Sequence, residues 1–366
     1  MLLIKNGRVM NPATGMDEVT DVWVEDGKIT GFGEPDTVME PGAAVKPDQV
    51  IDAGGCIVAP GLVDVHVHFR DPGFTYKEDL QTGSAAAAAG GFTTVVCMAN
   101  TKPVVDCPEV LDDILKRAKE LPIHVKQVSA VSKNFEGREL VDFEEMARHG
   151  ACGFTDDGIP LTDAAFIKKA MEMAAKVDMP ISLHEEDPSL NEVNGINKGV
   201  VSQQMGLGGA PAVSEDVMVA RDVMLALETG AKVDIQHISS GRSVDLVRYA
   251  KSKGAKVYAE ATPHHFTLTE EDVPNYGTMC KMNPPVRTSW DNPKIIEGLM
   301  AKLYQFDCGD ISVGRAADLV IFNPEEVWQV EQFASKASNS PFLGAQLCGK
   351  VRYTICDGKI VYAGER

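Results

Sequence analysis

Between residues 62 and 262 the chain alternates short apolar segments with longer amphipathic ones, and this restricts the fold more than any other feature. Strand-like segments cover 62–68, 93–98, 124–130, 153–155, 180–184, 232–237 and 256–262, with helical stretches over 84–90, 108–120, 161–177 and 214–229. Parallel strands need a crossover between them, usually a helix, so repeated βα units predict a parallel sheet or a barrel. A doubly wound sheet that binds a dinucleotide would carry a Gly-rich turn after its first strand, and this chain has none there. Polar residues collect where strands end, the side on which βα barrels keep their active sites. The count is seven strands, not eight. The flanks are different in character. Asn6-Gly7 and Asp26-Gly27 near one end, and Asp357-Gly358 near the other, are hairpin signals among short apolar runs. Both termini are therefore expected to build one small β domain together.

Charge and cysteine usage narrow the function classes. A net charge of −18 and a pI near 4.9 argue against nucleic acid or an anionic membrane as the main partner. The N-terminal Met1-Leu2-Leu3-Ile4-Lys5-Asn6 does not read as a signal peptide, and no apolar run reaches the ~18 residues of a membrane span. Eight cysteines without C-x-x-C spacing fit reduced thiols, so a cytoplasmic location is expected.

The chemistry lies at the strand ends. In Val63-Asp64-Val65-His66-Val67-His68-Phe69-Arg70-Asp71-Pro72-Gly73, residues two apart on a strand face one way, so His66 and His68 can grip one ion. Alone, an H-x-H is as often a pair of surface histidines. Here His184 ends Pro180-Ile181-Ser182-Leu183-His184 and His237 ends Val233-Asp234-Ile235-Gln236-His237, so four of the eight histidines occupy such ends. Asp156-Asp157-Gly158 would ordinarily be a turn or a helix cap. Between two ligand strands it becomes a metal carboxylate. Four imidazoles and one carboxylate suit two Zn2+ ions sharing a bridging oxygen.

His66-Val67-His68-Phe69-Arg70-Asp71-Pro72-Gly73 resembles the signature of the dihydroorotases in the amidohydrolase superfamily. Met98-Ala99-Asn100-Thr101, Gly153-Phe154-Thr155-Asp156-Asp157-Gly158, Thr262-Pro263-His264-His265 and Lys281-Met282-Asn283-Pro284-Pro285-Val286-Arg287 resemble further family motifs, and the likeness covers nearly the whole chain. The resemblance implies an α/β fold: a TIM-type (β/α) barrel over 56–305 and a small β-sandwich domain from 1–55 and 306–366. It implies zinc-dependent interconversion of N-carbamoyl-L-aspartate and dihydroorotate. His66 and His68 would bind one zinc, His184 and His237 the other, and Asp157 would bridge them, with Asp156 the second choice. Arg70 would hold the substrate carboxylate, while His68, Asn100 and Asn283 would complete the substrate contacts. His124, His149, His264 and His265 are expected to be structural. A homodimer or a complex with aspartate carbamoyltransferase is the protein partnership the resemblance suggests.

The resemblance breaks in one place. Family members end an eighth strand in Asp-His-Ala-Pro-His, whose aspartate is the general acid/base. Here Glu297-Gly298-Leu299-Met300 runs directly into Ala301-Lys302-Leu303-Tyr304, so about one βα unit, on the order of 60 residues, is expected to be absent near residue 300. No catalytic acid/base is assigned, and Asp307 and Asp310 near the junction are not promoted to that role. This 366-residue form is therefore expected to show little of the activity. The competing readings are a hydantoinase- or allantoinase-like cyclic amidase, and an inactive subunit that scaffolds aspartate carbamoyltransferase.

Overall fold

The computed structural model describes residues 1–34, 46–298 and 308–364; the junction at 300/301, Asp307 and the boundary at 305/306 lie outside these. Strands from both ends of the chain pair into one eight-stranded sheet. Its members are β1 (Leu2–Asn11), β2 (Met16–Glu25), β3 (Lys28–Phe32), β4 (Gln49–Asp52), β5 (Ile57–Pro60), β12 (Leu319–Gln329), β13 (Gln346–Cys356) and β14 (Lys359–Ala363). β5 pairs in parallel with β1 and antiparallel with β12, and so stitches the N-terminal strands to the C-terminal ones. Ile4, Val9, Val22, Ile29, Val58, Leu319 and Ile355, all fully buried, come from both ends and share one apolar cluster.

Two of the three expected hairpins form. Asp26-Gly27 turns β2 into β3 and Asp357-Gly358 turns β13 into β14, with positive φ at both central residues, as the tight two-residue turn requires. Asn6-Gly7 does not turn the chain. It is an irregularity inside a continuous β1, where the pairing with β2 shifts register between Ile4 and Gly7. A Cβ on Gly7 would sit 2.5 Å from Val58 Cγ2, so glycine is used there for close approach to β5.

The middle of the chain is a run of parallel strands. β6 (Leu62–Val67), β7 (Phe92–Cys97) and β8 (His124–Gln127) form one sheet; β9 (Pro180–Leu183), β10 (Lys232–Ile235) and β11 (Val257–Ala259) form another. Phe154 connects them, bridging in parallel to Ser129 on one side and Ile181 on the other. The expected strand at 153–155 is thus one residue wide, yet bonded on both sides: Phe154 N to Pro180 O and Ser182 N to Phe154 O, flanked by Ser129 N to Gly153 O and Thr155 N to Ser129 O.

Helices cover the run, and their apolar spacing explains how. α1 (Leu80–Ala89) starts on the Asp79 side chain, which accepts Thr82 N–H. α2 (Pro108–Ala118) has proline in its first turn, Glu109 beside it and Lys116 and Arg117 in its last turn, and buries Leu111, Ile114 and Ala118. α3 (Ala164–Lys176) buries Ile167, Ala170, Met171 and Ala174, one stripe at three- and four-residue spacing. α4 (Val213–Thr229) and α5 (Gly241–Ser252) follow the same plan. Because the strands pair in parallel, their C-terminal ends share one side of the run.

Candidate metal centre

Three strand ends and one turn converge there. His66 lies within β6 and His68 just past it; His184 follows β9 and His237 follows β10. Asp157 leaves the Phe154 bridge pointing inward. Its Oδ1 lies 3.4 Å from His66 Nε2 and 3.6 Å from His237 Nε2, and its Oδ2 lies 3.4 Å from His68 Nε2. His66 Nε2 and His68 Nε2 are 3.2 Å apart, and His184 Nδ1 and His237 Nε2 are 3.0 Å apart. Two ring nitrogens at that separation share at most one proton, so lone pairs face the centre. The ligand atoms form two sets, His66/His68/Asp157 and Asp157/His184/His237, each within 4.8 Å and sharing the aspartate.

Asp156, the neighbouring carboxylate, is placed elsewhere. It accepts Val131 N–H at 2.7 Å, Ser132 N–H at 3.0 Å and the Ser132 hydroxyl. Burial pushes its carboxyl up to about 6 against those bonds. Asp157 moves the other way. Burial would raise it, but hydrogen bonds from His237 and His66 outweigh that and hold it well below the usual carboxylate range. Burial lowers His68 to about 4 and also depresses His237. For His66, the nearby charges of Glu260 and Asp157 overcome burial and raise it well above an ordinary imidazole.

Outward-facing ring nitrogens meet acceptors. His68 Nδ1 lies 3.0 Å from Asn100 Oδ1, while Asn100 Nδ2 donates to Asp157 Oδ2 at 3.0 Å, so Asn100 links His68 to Asp157. His184 Nε2 lies 3.2 Å from Glu186 Oε2, and His66 Nδ1 meets Glu260 Oε1. His237 Nδ1 is buried without a hydrogen-bond partner among the described residues. Glu186 and Glu260 are absent from the sequence-based ligand list. Glu186 had a signal, because it lies two residues from His184, on the same face of an extended segment.

A cavity of about 270 Å3 opens over the centre, lined by His68, Arg70, Asn100, Asp157, His184, His237 and Asn283 among others. The sequence-assigned residues other than His66, which sits against His68 and Asp157, thus line one space. Arg70 has no ion-pair partner among the described residues, stands in a left-handed backbone conformation (φ 58°), and is lowered from its ordinary value by burial. His68 and Arg70 also line a larger cavity of about 670 Å3 between β6, α1 and residues 335–339. The other histidines belong to neither ligand set: His264 packs its ring 4.4 Å from that of His265 and is lowered to about 4 by burial and by His237, His265 is buried between Thr262 and Pro284 O, His149 caps a helix beside Asp112, and His124 pairs with Asp318 at 3.1 Å near Cys356 and Asp357.

Residues 55–243 match the family model described as "Dihydro-orotase-like". The chain is 50% identical to the dihydroorotase of Clostridioides difficile (strain 630), covering 99% of this chain and 100% of that one. It is 44% identical to the dihydroorotase of Lactococcus lactis subsp. lactis (strain IL1403), covering 99% of both. Both alignments span 425 positions, 59 more than the 366 residues here, so at least 59 positions of the relatives fall opposite gaps in this chain. Among solved structures, the fold is similar to an L-hydantoinase (dihydropyrimidinase) from Arthrobacter aurescens, with a TM-score of 0.81 at 21% identity, covering 100% of this chain and 96% of that one. A D-hydantoinase (dihydropyrimidinase) from Thermus sp. gives 0.78 at 21% identity, covering 100% and 97%.

Proposed function

The chain belongs to the dihydroorotase family, cyclic amidohydrolases of pyrimidine biosynthesis, and from that premise we propose how its own residues serve the interconversion of dihydroorotate and N-carbamoyl-L-aspartate. The observation that carries the reading is Asp157 set among four imidazoles, with Arg70, which has no ion-pair partner among the described residues, facing the same cavity. His66 and His68 would hold one divalent ion, His184 and His237 a second, with Asp157 as a ligand common to both sets. The donor set fits such ions: ring nitrogens face inward, and three outer nitrogens meet acceptors that can take the one proton of a neutral ring and leave the inner nitrogen free for a metal. Nitrogen and carboxylate ligands without thiolate suit zinc. Ions held there would lower the pKa of water and polarise an amide carbonyl.

The remaining roles belong to the chain. Arg70 offers a guanidinium fork to the substrate carboxylate. Asn100 and Asn283 fix the ring over the centre by hydrogen bonds. In the hydrolytic direction a water oxygen joins the ring carbonyl carbon, the carbon–nitrogen bond breaks, and the departing nitrogen takes a proton. We assign that proton to none of the described residues. In the synthetic direction the same site closes the ring with loss of water. Hydantoin-type rings lack the carboxylate that Arg70 awaits, so the unpaired guanidinium favours dihydroorotate over them.

For the fold we infer a TIM-type barrel lacking its eighth βα unit, beside a terminal sheet wrapped on its own core as a sandwich. The strands at the two ends of the parallel run support this. β9 and β10 bury seven of their eight residues, whereas β6 buries none and β11 one, and among the described residues no pairing joins β11 to β6. The 59 or more alignment positions that fall opposite gaps agree with a unit of that size. Among the described residues no helix is long and apolar enough to cross a membrane; with the acidic pI, we place the protein in the cytoplasm. The test is metal analysis of the purified protein. Two divalent ions per chain are expected, with no more than one when His184 and His237 are both replaced by alanine; full occupancy in that double variant would refute the two-ion assignment.

A further inference from the structure

Glu260 sits one residue beyond β11, and its backbone is fixed on both sides: its N–H donates to Ile235 O at 3.0 Å, and its carbonyl accepts Ile238 N–H at 2.8 Å. Its side chain crosses from the last parallel strand to the first. There Oε1 meets His66 Nδ1, and the same oxygen accepts the backbone N–H of His237 at 3.3 Å. One carboxylate therefore touches a residue from each half of the cage. The contact is largely closed to solvent, with the His66 and Glu260 side chains 12% and 14% exposed.

We propose that Glu260 is a positioning residue of the centre: it holds His66 with the proton on Nδ1, so that Nε2 presents its lone pair inward. This rests on the metal-binding reading above. A neutral imidazole carries one N–H, and an ionised carboxylate only accepts. With Glu260 at Nδ1, the proton stays outside the cage. Without it, the favourable bond left to that proton runs from Nε2 to Asp157 Oδ1, 3.4 Å away, which would occupy a ligand nitrogen and the bridging carboxylate together. Asn100 at His68 and Glu186 at His184 place acceptors in the same way. Glu260 differs in also gripping the His237 amide, so it sets the distance between the two halves as well as the tautomer.

Two conservative variants separate acceptance from charge. Glu260→Gln keeps the length and an accepting oxygen but loses the charge; Glu260→Asp keeps the charge but falls one methylene short of Nδ1. The readout is Zn2+ affinity by competition with a chromophoric chelator, the Co2+ absorption spectrum, and the melting temperature of the metal-free protein. The expected result is that Glu260→Gln stays within a few-fold of wild type, while Glu260→Asp loses roughly 10- to 100-fold in affinity and shows an altered Co2+ spectrum. The reverse order, equal losses in both, or metal-free melting changes with unaltered affinity would each overturn the proposal. If the wild-type protein itself takes up no ion, the metal-centre reading fails; if it takes up two and the variants do not follow the expected order, only the role of Glu260 fails.

Discussion

Replacing Arg70 with methionine isolates the recognition step. The guanidinium faces the cavity over the centre and has no carboxylate partner among the described residues, so its removal breaks no internal ion pair. Methionine keeps an unbranched stem at a position whose backbone is already left-handed. A charge-assisted fork to a substrate carboxylate contributes about 2–3 kcal/mol, which at 1.36 kcal/mol per decade is roughly a 30- to 150-fold loss in kcat/KM. The assay compares dihydroorotate with dihydrouracil, the same ring amide without the carboxylate. The loss is expected on dihydroorotate alone, with the melting temperature unchanged. Equal losses on both substrates would show that Arg70 holds the loop and not the ligand.

Two further expectations concern the scaffold. Phe154 is fully buried, stacks on Phe143 with ring centroids 3.9 Å apart and bridges the two halves of the parallel run. Phe154→Ala should cost about 3–5 kcal/mol in denaturant unfolding, and a loss below ~1 kcal/mol would mean that the halves do not depend on that bridge. His124 is raised by its hydrogen bond to Asp318, whose own carboxyl, despite burial, is lowered by His124. The raised imidazole stabilises the fold below its unfolded value of about 6.5 and loses this as pH rises through its folded value; the depressed carboxyl contributes above about 3.9 and loses it on acidification. The melting-temperature gap between wild type and His124→Gln should therefore shrink as pH rises above the unfolded value of about 6.5, and a constant gap would exclude an ionic contribution.

The parts of this fold legible in the sequence were those written in local pattern. Strand ends could be placed because histidines stand two apart or close an apolar run, and the structure moves those ends by only a few residues. Asp156 and Asp157 could not be separated with certainty by pattern, since adjacent residues point opposite ways and only the position of the Val131 and Ser132 amides decides which one turns outward. Asn6-Gly7 carries the same dipeptide signal as a true hairpin, but the packing of Gly7 against Val58 on another strand makes it an irregularity instead. Glu260 was invisible for a related reason. It reaches a partner 194 residues away, and nothing local to Tyr258-Ala259-Glu260-Ala261 marks that contact.

The most direct test is turnover of dihydroorotate by the metal-loaded 366-residue protein, measured beside Asp157→Ala. With the cage assembled but no proton donor assigned, the rate should fall short of an ordinary ~10 s⁻¹ by the roughly 10²- to 10⁴-fold that a positioned acid/base contributes. It should still depend on added metal and vanish in Asp157→Ala. Slow, metal-dependent formation of N-carbamoyl-L-aspartate would support the assignment of the centre. Turnover at the ordinary rate would show that a residue here already delivers the proton, and a rate equal to that of Asp157→Ala would contradict the centre itself.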